Sequence, residues 1–252
     1  MLFQSPPPTR FDLNFSIAGI PVRVHPLFWM IAVLLGSSSG GIAQLLIWVV
    51  VVFVSILIHE LGHAFAMRRY GISSNIILHF SGGLTVPESM RWGNGLANIA
   101  LTPNQEIFIS LAGPFSGFLF AALAAAGTVA VGGSVVMSAL LGVIPVPVNV
   151  ALPFGGALLN SFILSLLWVN IFWGIFNLVP VYPLDGGHVT RYALLQTDPY
   201  DGVRKSLWVS VISGIVVAAL GFFVLRSTYM ALMFAFLAFQ SYQSMQGRSG
   251  GY

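Results

Sequence analysis

An H-E-x-x-H motif set in a long apolar run constrains this chain more than any other feature: Ser55-Ile-Leu-Ile-His59-Glu60-Leu-Gly-His63-Ala-Phe-Ala66. On a helix, residues four apart share a face, so His59 and His63 stack one turn apart and can hold one metal ion together. Glu60 follows the first histidine and points beside that face. It is placed to accept a proton from an attacking water rather than to ligate. The residues upstream, Ile42 to Phe53, carry no charge. Ionisable side chains at membrane depth are expensive, on the order of 3 kcal/mol each on insertion scales, and so mark function by default. In a soluble helix the same five residues would have an innocent reading.

Composition extends that reading to the whole chain. Of its 252 residues 57% are hydrophobic and 7% charged, against about 25% charged in a soluble domain. The expected class is an all-α polytopic membrane protein, with the lipid bilayer as its surroundings. The net charge of +3 rests on too few residues to indicate nucleic acid. There is no cysteine, which excludes disulfides, thiol catalysis and cysteine-ligated zinc. Any metal must be held by the five histidines and seven acids.

Met1 to Asn14 contains Pro6-Pro7-Pro8 and Asp12 and no apolar core, so it does not read as a signal peptide. Residues 1–25 read as an interfacial lead-in with weak strand-like alternation, and His25, before Pro26, as an interfacial structural histidine. Residues 26–245 read as a six-span core, and 246–252 as a flexible tail. The spans are expected at about Pro26–Leu35, Ile42–Met67, Ile107–Val131, Gly156–Leu178, Ser206–Leu225 and Thr228–Gln243, given that crossing takes roughly 20 residues. Thr102 and Pro103 give the third span a cap and a first residue. Leu111-Ala-Gly-Pro114 inside it implies a kink and close helix contact. Residues 132–153 are apolar and proline-containing and give no clear assignment.

Within residues 72–90, Ile76-Ile-Leu-His79-Phe-Ser-Gly82-Gly83-Leu-Thr-Val86 reads as two short strands around the glycine pair. Its apolar character suggests a small hairpin dipping into the membrane, where non-helical backbone must be covered by protein or line a wet cavity. An open strand edge there would receive an extended peptide. His79 reads as a structural or supporting histidine rather than a ligand.

Six spans leave both termini on one side. If that side is the cytoplasm, it also holds Arg10, Arg23, Arg68, Arg69, Arg91, Arg191, Arg204, Lys205 and Arg248, leaving only Arg226 outside, as the positive-inside rule asks. The His59 motif then lies toward the cytoplasmic half of the membrane.

A third ligand is expected where the fourth span breaks, in Asn177-Leu-Val-Pro180-Val-Tyr-Pro183-Leu-Asp185-Gly186-Gly187-His188. The prolines end the helix and the glycines allow tight turning. Asp185 is the only acid between Glu106 and Asp198. Alone it would read as a turn cap; beside an H-E-x-x-H lacking a third donor it reads as a ligand. Two histidines, one carboxylate and a water make a usual catalytic zinc set. His188 reads as a helix-start or interfacial group.

Taken together, His59-Glu60-Leu-Gly-His63, the Gly82-Gly83 hairpin, Leu111-Ala-Gly-Pro114 and Asn177-x-x-Pro180-x-x-Pro183-x-Asp185-Gly-Gly resemble the site-2 protease family of intramembrane zinc metalloproteases. The resemblance spans about residues 20 to 195, with the elements in family order. Gly117 departs from it, standing where the family often has asparagine. No PDZ insertion or CBS domain is read in the chain, which looks like a compact member. The resemblance implies one zinc per chain held by His59, His63 and Asp185, with Glu60 activating the water. It implies that Asn177 bonds the substrate backbone or the developing oxyanion. The hairpin with Gly82 and Gly83 would pair with unwound substrate. The implied activity is regulated intramembrane proteolysis of single-span, membrane-anchored proteins. Substrate identity and oligomeric state are not legible.

Two other readings compete. A prenyl-protein-processing type of membrane protease would need a later glutamate as third ligand, and none follows Glu106. A non-enzymatic metal-binding membrane protein or transporter would have no use for Glu60.

Overall fold

The computed structural model describes residues 6–37, 40–88, 101–140, 142 and 144–249. Arg91 and the last three residues of the expected tail lie outside the described residues. The chain divides into two compact units, Met1–Ile99 with Ala112–Ile175, and Ala100–Leu111 with Phe176–Tyr252.

The first unit opens with a hairpin, β1 (Leu13–Ile17) and β2 (Ile20–Val24). Its two-residue loop holds Ala18 and Gly19 at φ 48° and 76°, the left-handed pair that a tight hairpin turn requires. Ile20, Val22 and Val24 alternate inward from β2 and are buried. Arg23 points the other way and pairs with Asp12 at 2.9 Å. Two helices follow, α1 (Pro26–Gly36) and α2 (Ile42–Arg69). His25 caps α1 by accepting from the Leu27 N–H at 3.2 Å. After α2 the chain turns through Gly71 into β3 (Ser74–His79) and β4 (Gly82–Pro87).

These strands are not an isolated hairpin. They join β1 and β2 in one four-stranded sheet ordered β1-β2-β3-β4. β2 and β3 run parallel, with Val22, Arg23 and Val24 opposite Ile76, Ile77 and Leu78. The turn between β3 and β4 is Phe80-Ser81, and the glycine pair begins β4 instead of forming the bend. β3 is buried along its whole length, because it lies between two strands and against α2. The core of this unit joins sheet, α1, α2 and a later helix: Val24, Phe28, Val51, Ile56, Ile76 and Leu166 belong to one buried cluster.

Helix α3 (Pro103–Ala130) has Pro114 in its interior. The apolar stretch without a sequence assignment folds as a second hairpin, β5 (Ser134–Leu140) with β6 (Ile144–Ala151). Helix α4 (Gly156–Asn177) follows. Asn170, buried in its middle, donates to the Ser55 hydroxyl of α2 at 2.8 Å. A side-chain carbon at Gly117 would lie 3.4 Å from the Asn170 oxygen, an ordinary contact, so this polar tie between helices does not require glycine there. Asn170→Ala should destabilise the protein by on the order of 1 kcal/mol, read as a lower midpoint of thermal unfolding in detergent.

The second unit contains α5 (Asp185–Thr197), α6 (Gly202–Phe223) and α7 (Thr228–Ser249), with the start of α3. Thr102 and Gln105 cap α3 reciprocally, the Thr102 N–H donating to the Gln105 side chain at 2.8 Å. The segment after α4 does break at the prolines, with a cis bond at Tyr182–Pro183. Its backbone is pinned by Ser210 of α6, whose hydroxyl accepts from the Tyr182 N–H at 3.0 Å. The glycines after Asp185 do not form a turn. They are the second and third residues of α5, and both are buried. A side chain on either would run into the backbone between Leu178 and Tyr182. Close packing, not left-handed backbone, therefore selects glycine at both positions. The expected tail is also partly replaced: α7 runs through Ser249.

Among the described residues, α2, α3, α4 and α6 are long and apolar enough to cross a membrane. α1 is apolar but has 11 residues. α7 has 22 residues, with Gln240, Gln243 and Gln246 on its second half. The long helices expose Ile42, Leu46, Leu119, Leu123 and Ile212, a surface that suits acyl chains.

Candidate metal centre

The motif helix α2 holds its ionisable side chains inside the first unit. His59, Glu60 and His63 are 4%, 5% and 8% exposed. The helical spacing brings the two imidazoles edge to face, with their Nε2 atoms 3.1 Å apart. Two nitrogens bound to one tetrahedral zinc at about 2.0–2.1 Å lie roughly 3.3 Å from each other. The pair therefore fits such an ion, and its donors are of the right type.

The Ala-Gly-Pro step of α3 faces this pair. A side-chain carbon on Gly113 would strike His63 and would lie 2.8 Å from the Nε2 of His59. Gly62 of α2 stands in the same way against the Ala112 carbonyl and Ser116. Ser116 shares its proton between the carbonyls of Ile58 and Gly113, at 2.9 and 2.7 Å. The two glycines let the helices approach closely, and the serine fixes that approach beside the histidines. Gly113→Ala should weaken zinc binding by about 10- to 100-fold, measured by titration against a competing chelator, with helix content unchanged.

Glu60 is held from the sheet. Thr85 of β4 donates to its Oε2 at 2.7 Å and lies 3.1 Å from its backbone carbonyl. A side chain on Gly83 would overlap the Glu60 carboxyl group. Gly82 has a different neighbour: a side-chain carbon there would sit 3.3 Å from the Trp173 ring. Of the two glycines expected to touch substrate, one borders the carboxylate and the other an indole. Sequence reasoning missed Thr85 altogether. Its only signal was its position two residues after Gly83, on the same side of the strand.

His79 is buried, and burial with its neighbours His25 and Arg23 lowers its pKa to about 4. It stays neutral near pH 7, with Nδ1 3.2 Å from the Ser81 hydroxyl, in keeping with a structural histidine. In the second unit, Asp185 is the first residue of α5, Asn177 is the last residue of α4, and His188 lies against the Tyr182 ring with centroids 5.0 Å apart.

Chemically, the first unit offers two converging imidazole donors and, one residue along, a buried carboxylate with one oxygen engaged. Such an arrangement could set a metal ion beside a proton acceptor.

Comparison with known proteins agrees in family and in fold. The profile of Peptidase family M50 matches residues 47–221. Rip3 of Mycobacterium tuberculosis, a candidate zinc metalloprotease, is 30% identical over 210 residues, covering 76% of this chain and 45% of that protein. A zinc metalloprotease of Methanocaldococcus jannaschii is 30% identical over 185 residues, covering 71% of this chain and 44% of that protein. This chain thus spans under half the length of the curated relatives it matches. The solved structure of a site-2 protease from Methanocaldococcus jannaschii aligns with a TM-score of 0.55 at 23% identity, covering 93% of this chain and 95% of that one. The chain belongs to Peptidase family M50, and the site-2 protease resemblance in its motifs holds.

Proposed function

We propose that this protein is a zinc-dependent endopeptidase that hydrolyses peptide bonds in or near the transmembrane segments of single-span membrane proteins. The observation that carries the reading is the buried His59–His63 pair, with its nitrogens at 3.1 Å and Glu60 alongside, on a helix apolar enough to lie in a membrane. The family and the named activity of its relatives support it.

His59, His63 and Asp185 would hold one zinc. The donor types support this: two imidazoles and one carboxylate are a usual catalytic zinc set. A zinc ion bound there supplies a Lewis acid and a water acidified to a pKa of about 7. Glu60 takes the proton of the attacking water and passes it to the leaving nitrogen. Asn177 would donate to the substrate backbone or to the oxyanion that forms on it.

A transmembrane helix must unwind before it can be cut, since its carbonyls are bonded internally, and the exposed peptide groups then need partners. Among the described residues β4 is the last strand of its sheet, and its outer edge would take an added strand. Arg68 and Arg69 end the motif helix. We infer from the positive-inside rule that this end and the metal centre face the cytoplasm, and both termini with them.

The test uses the full-length protein in bilayers with a fluorescent single-span reporter. Cleavage should stop when a chelator strips the metal and return on adding zinc, with one zinc bound per chain. Cleavage that persists in metal-free protein would overturn the reading. Metal transport without cleavage would favour the transporter.

A further inference from the structure

We propose that Thr85 is a positioning residue for Glu60, so that the strand edge offered to substrate also sets the base. This rests on the reading of Glu60 given above. The geometry is specific. Strand residues alternate between faces, so Gly83 and Thr85 look the same way, and both look at Glu60. Gly83 brings the strand down onto the carboxyl group, where any side chain would displace it. Thr85 then supplies the hydroxyl, at 2.7 Å from Oε2.

A buried carboxylate needs donors, and a glutamate side chain has several torsions to fix. Anchoring one oxygen at Thr85 fixes the orientation of the carboxyl group and so the place of the other, which lies beside Gly83. Threonine suits the task because branching at Cβ stiffens its first torsion. Misplacing a reacting group by about 1 Å can cost on the order of 100-fold in rate. The bond reaches from β4 to α2 across 25 positions of sequence. Among the described residues, that same strand is the last of its sheet. A substrate docked there would order Thr85, and through it Glu60, before the bond is cut.

The test compares Thr85→Val, which keeps the shape and removes the hydroxyl, with Thr85→Ser, which keeps the hydroxyl. In full-length protein, Thr85→Val should lower kcat by about 10- to 100-fold, with KM within about twofold and zinc content unchanged. Thr85→Ser should restore kcat to within about threefold. A second readout needs neither zinc nor turnover. Infrared difference spectra of zinc-free wild type against Glu60→Gln isolate the Glu60 carboxyl band. Thr85→Val should shift that band, and Thr85→Ser should leave it in place. A wild-type band in Thr85→Val overturns the proposal, as does a wild-type kcat or an equal loss in both variants. If the band shifts while wild-type protein cleaves nothing, the hydrogen bond stands and the protease reading fails.

Discussion

Glu60→Gln retains one zinc per chain and cleaves a single-span reporter at least about 1,000-fold more slowly than wild type. General acid–base catalysis contributes roughly 100- to 10,000-fold. Here the proposed base serves twice, first for the water and then for the leaving nitrogen, which places the loss toward the upper end. Glutamine has the shape of glutamate and can still accept from Thr85 through its carbonyl oxygen, so the packing of α2 against β4 survives. The histidines are untouched, and so is the metal. Zinc analysis together with single-turnover kinetics checks both halves. Cleavage at more than a tenth of the wild-type rate would assign the proton transfer to another group. Loss of zinc would make Glu60 a ligand.

Asp185→Ala, by contrast, removes the proposed carboxylate donor. Metal content should fall below a tenth of wild type after dialysis against a mild chelator, and cleavage should fall with it. Asp185→Asn separates charge from size, because an amide oxygen is a weaker ligand than a carboxylate. It should retain intermediate metal content and little activity. Helix α5 starts at this residue, and an acid in the first turn favours the helix by about 0.3–1 kcal/mol. Alanine therefore costs α5 a little stability, too little to unfold it. Zinc stoichiometry equal to wild type in Asp185→Ala would remove this residue from the metal site, whatever happened to activity.

A candidate site could be proposed from the sequence because its parts are local or scarce. His59 and His63 are four apart, so helix geometry alone brings them together. Asp185 stood out because the chain has so few acids that one near a helix break draws notice. Spans were placed well where apolar runs end in charge or proline, as at Arg68-Arg69 and Pro103. Readings failed where local rules had two meanings. Gly186-Gly187 reads as a turn, yet serves close packing inside α5. The β5–β6 segment is apolar on both faces and interrupted by Pro145 and Pro147, so it has no clean period. Long-range partners were invisible. The parallel pairing of Val22 with Ile76 joins residues 54 positions apart, and the Thr85–Glu60 bond depends on a strand register that composition cannot specify.

That parallel pairing also restricts where flexibility can reside. β2 and β3 are neighbours in one sheet, and the chain between them runs through α1 and α2. The helix bearing both imidazoles is thus the second half of a crossover, and its C-terminal end leads through a short turn straight into β3. Shifting that end would pull on the parallel ladder. Movement beside the histidines is therefore easier in elements outside the sheet than in this end of α2.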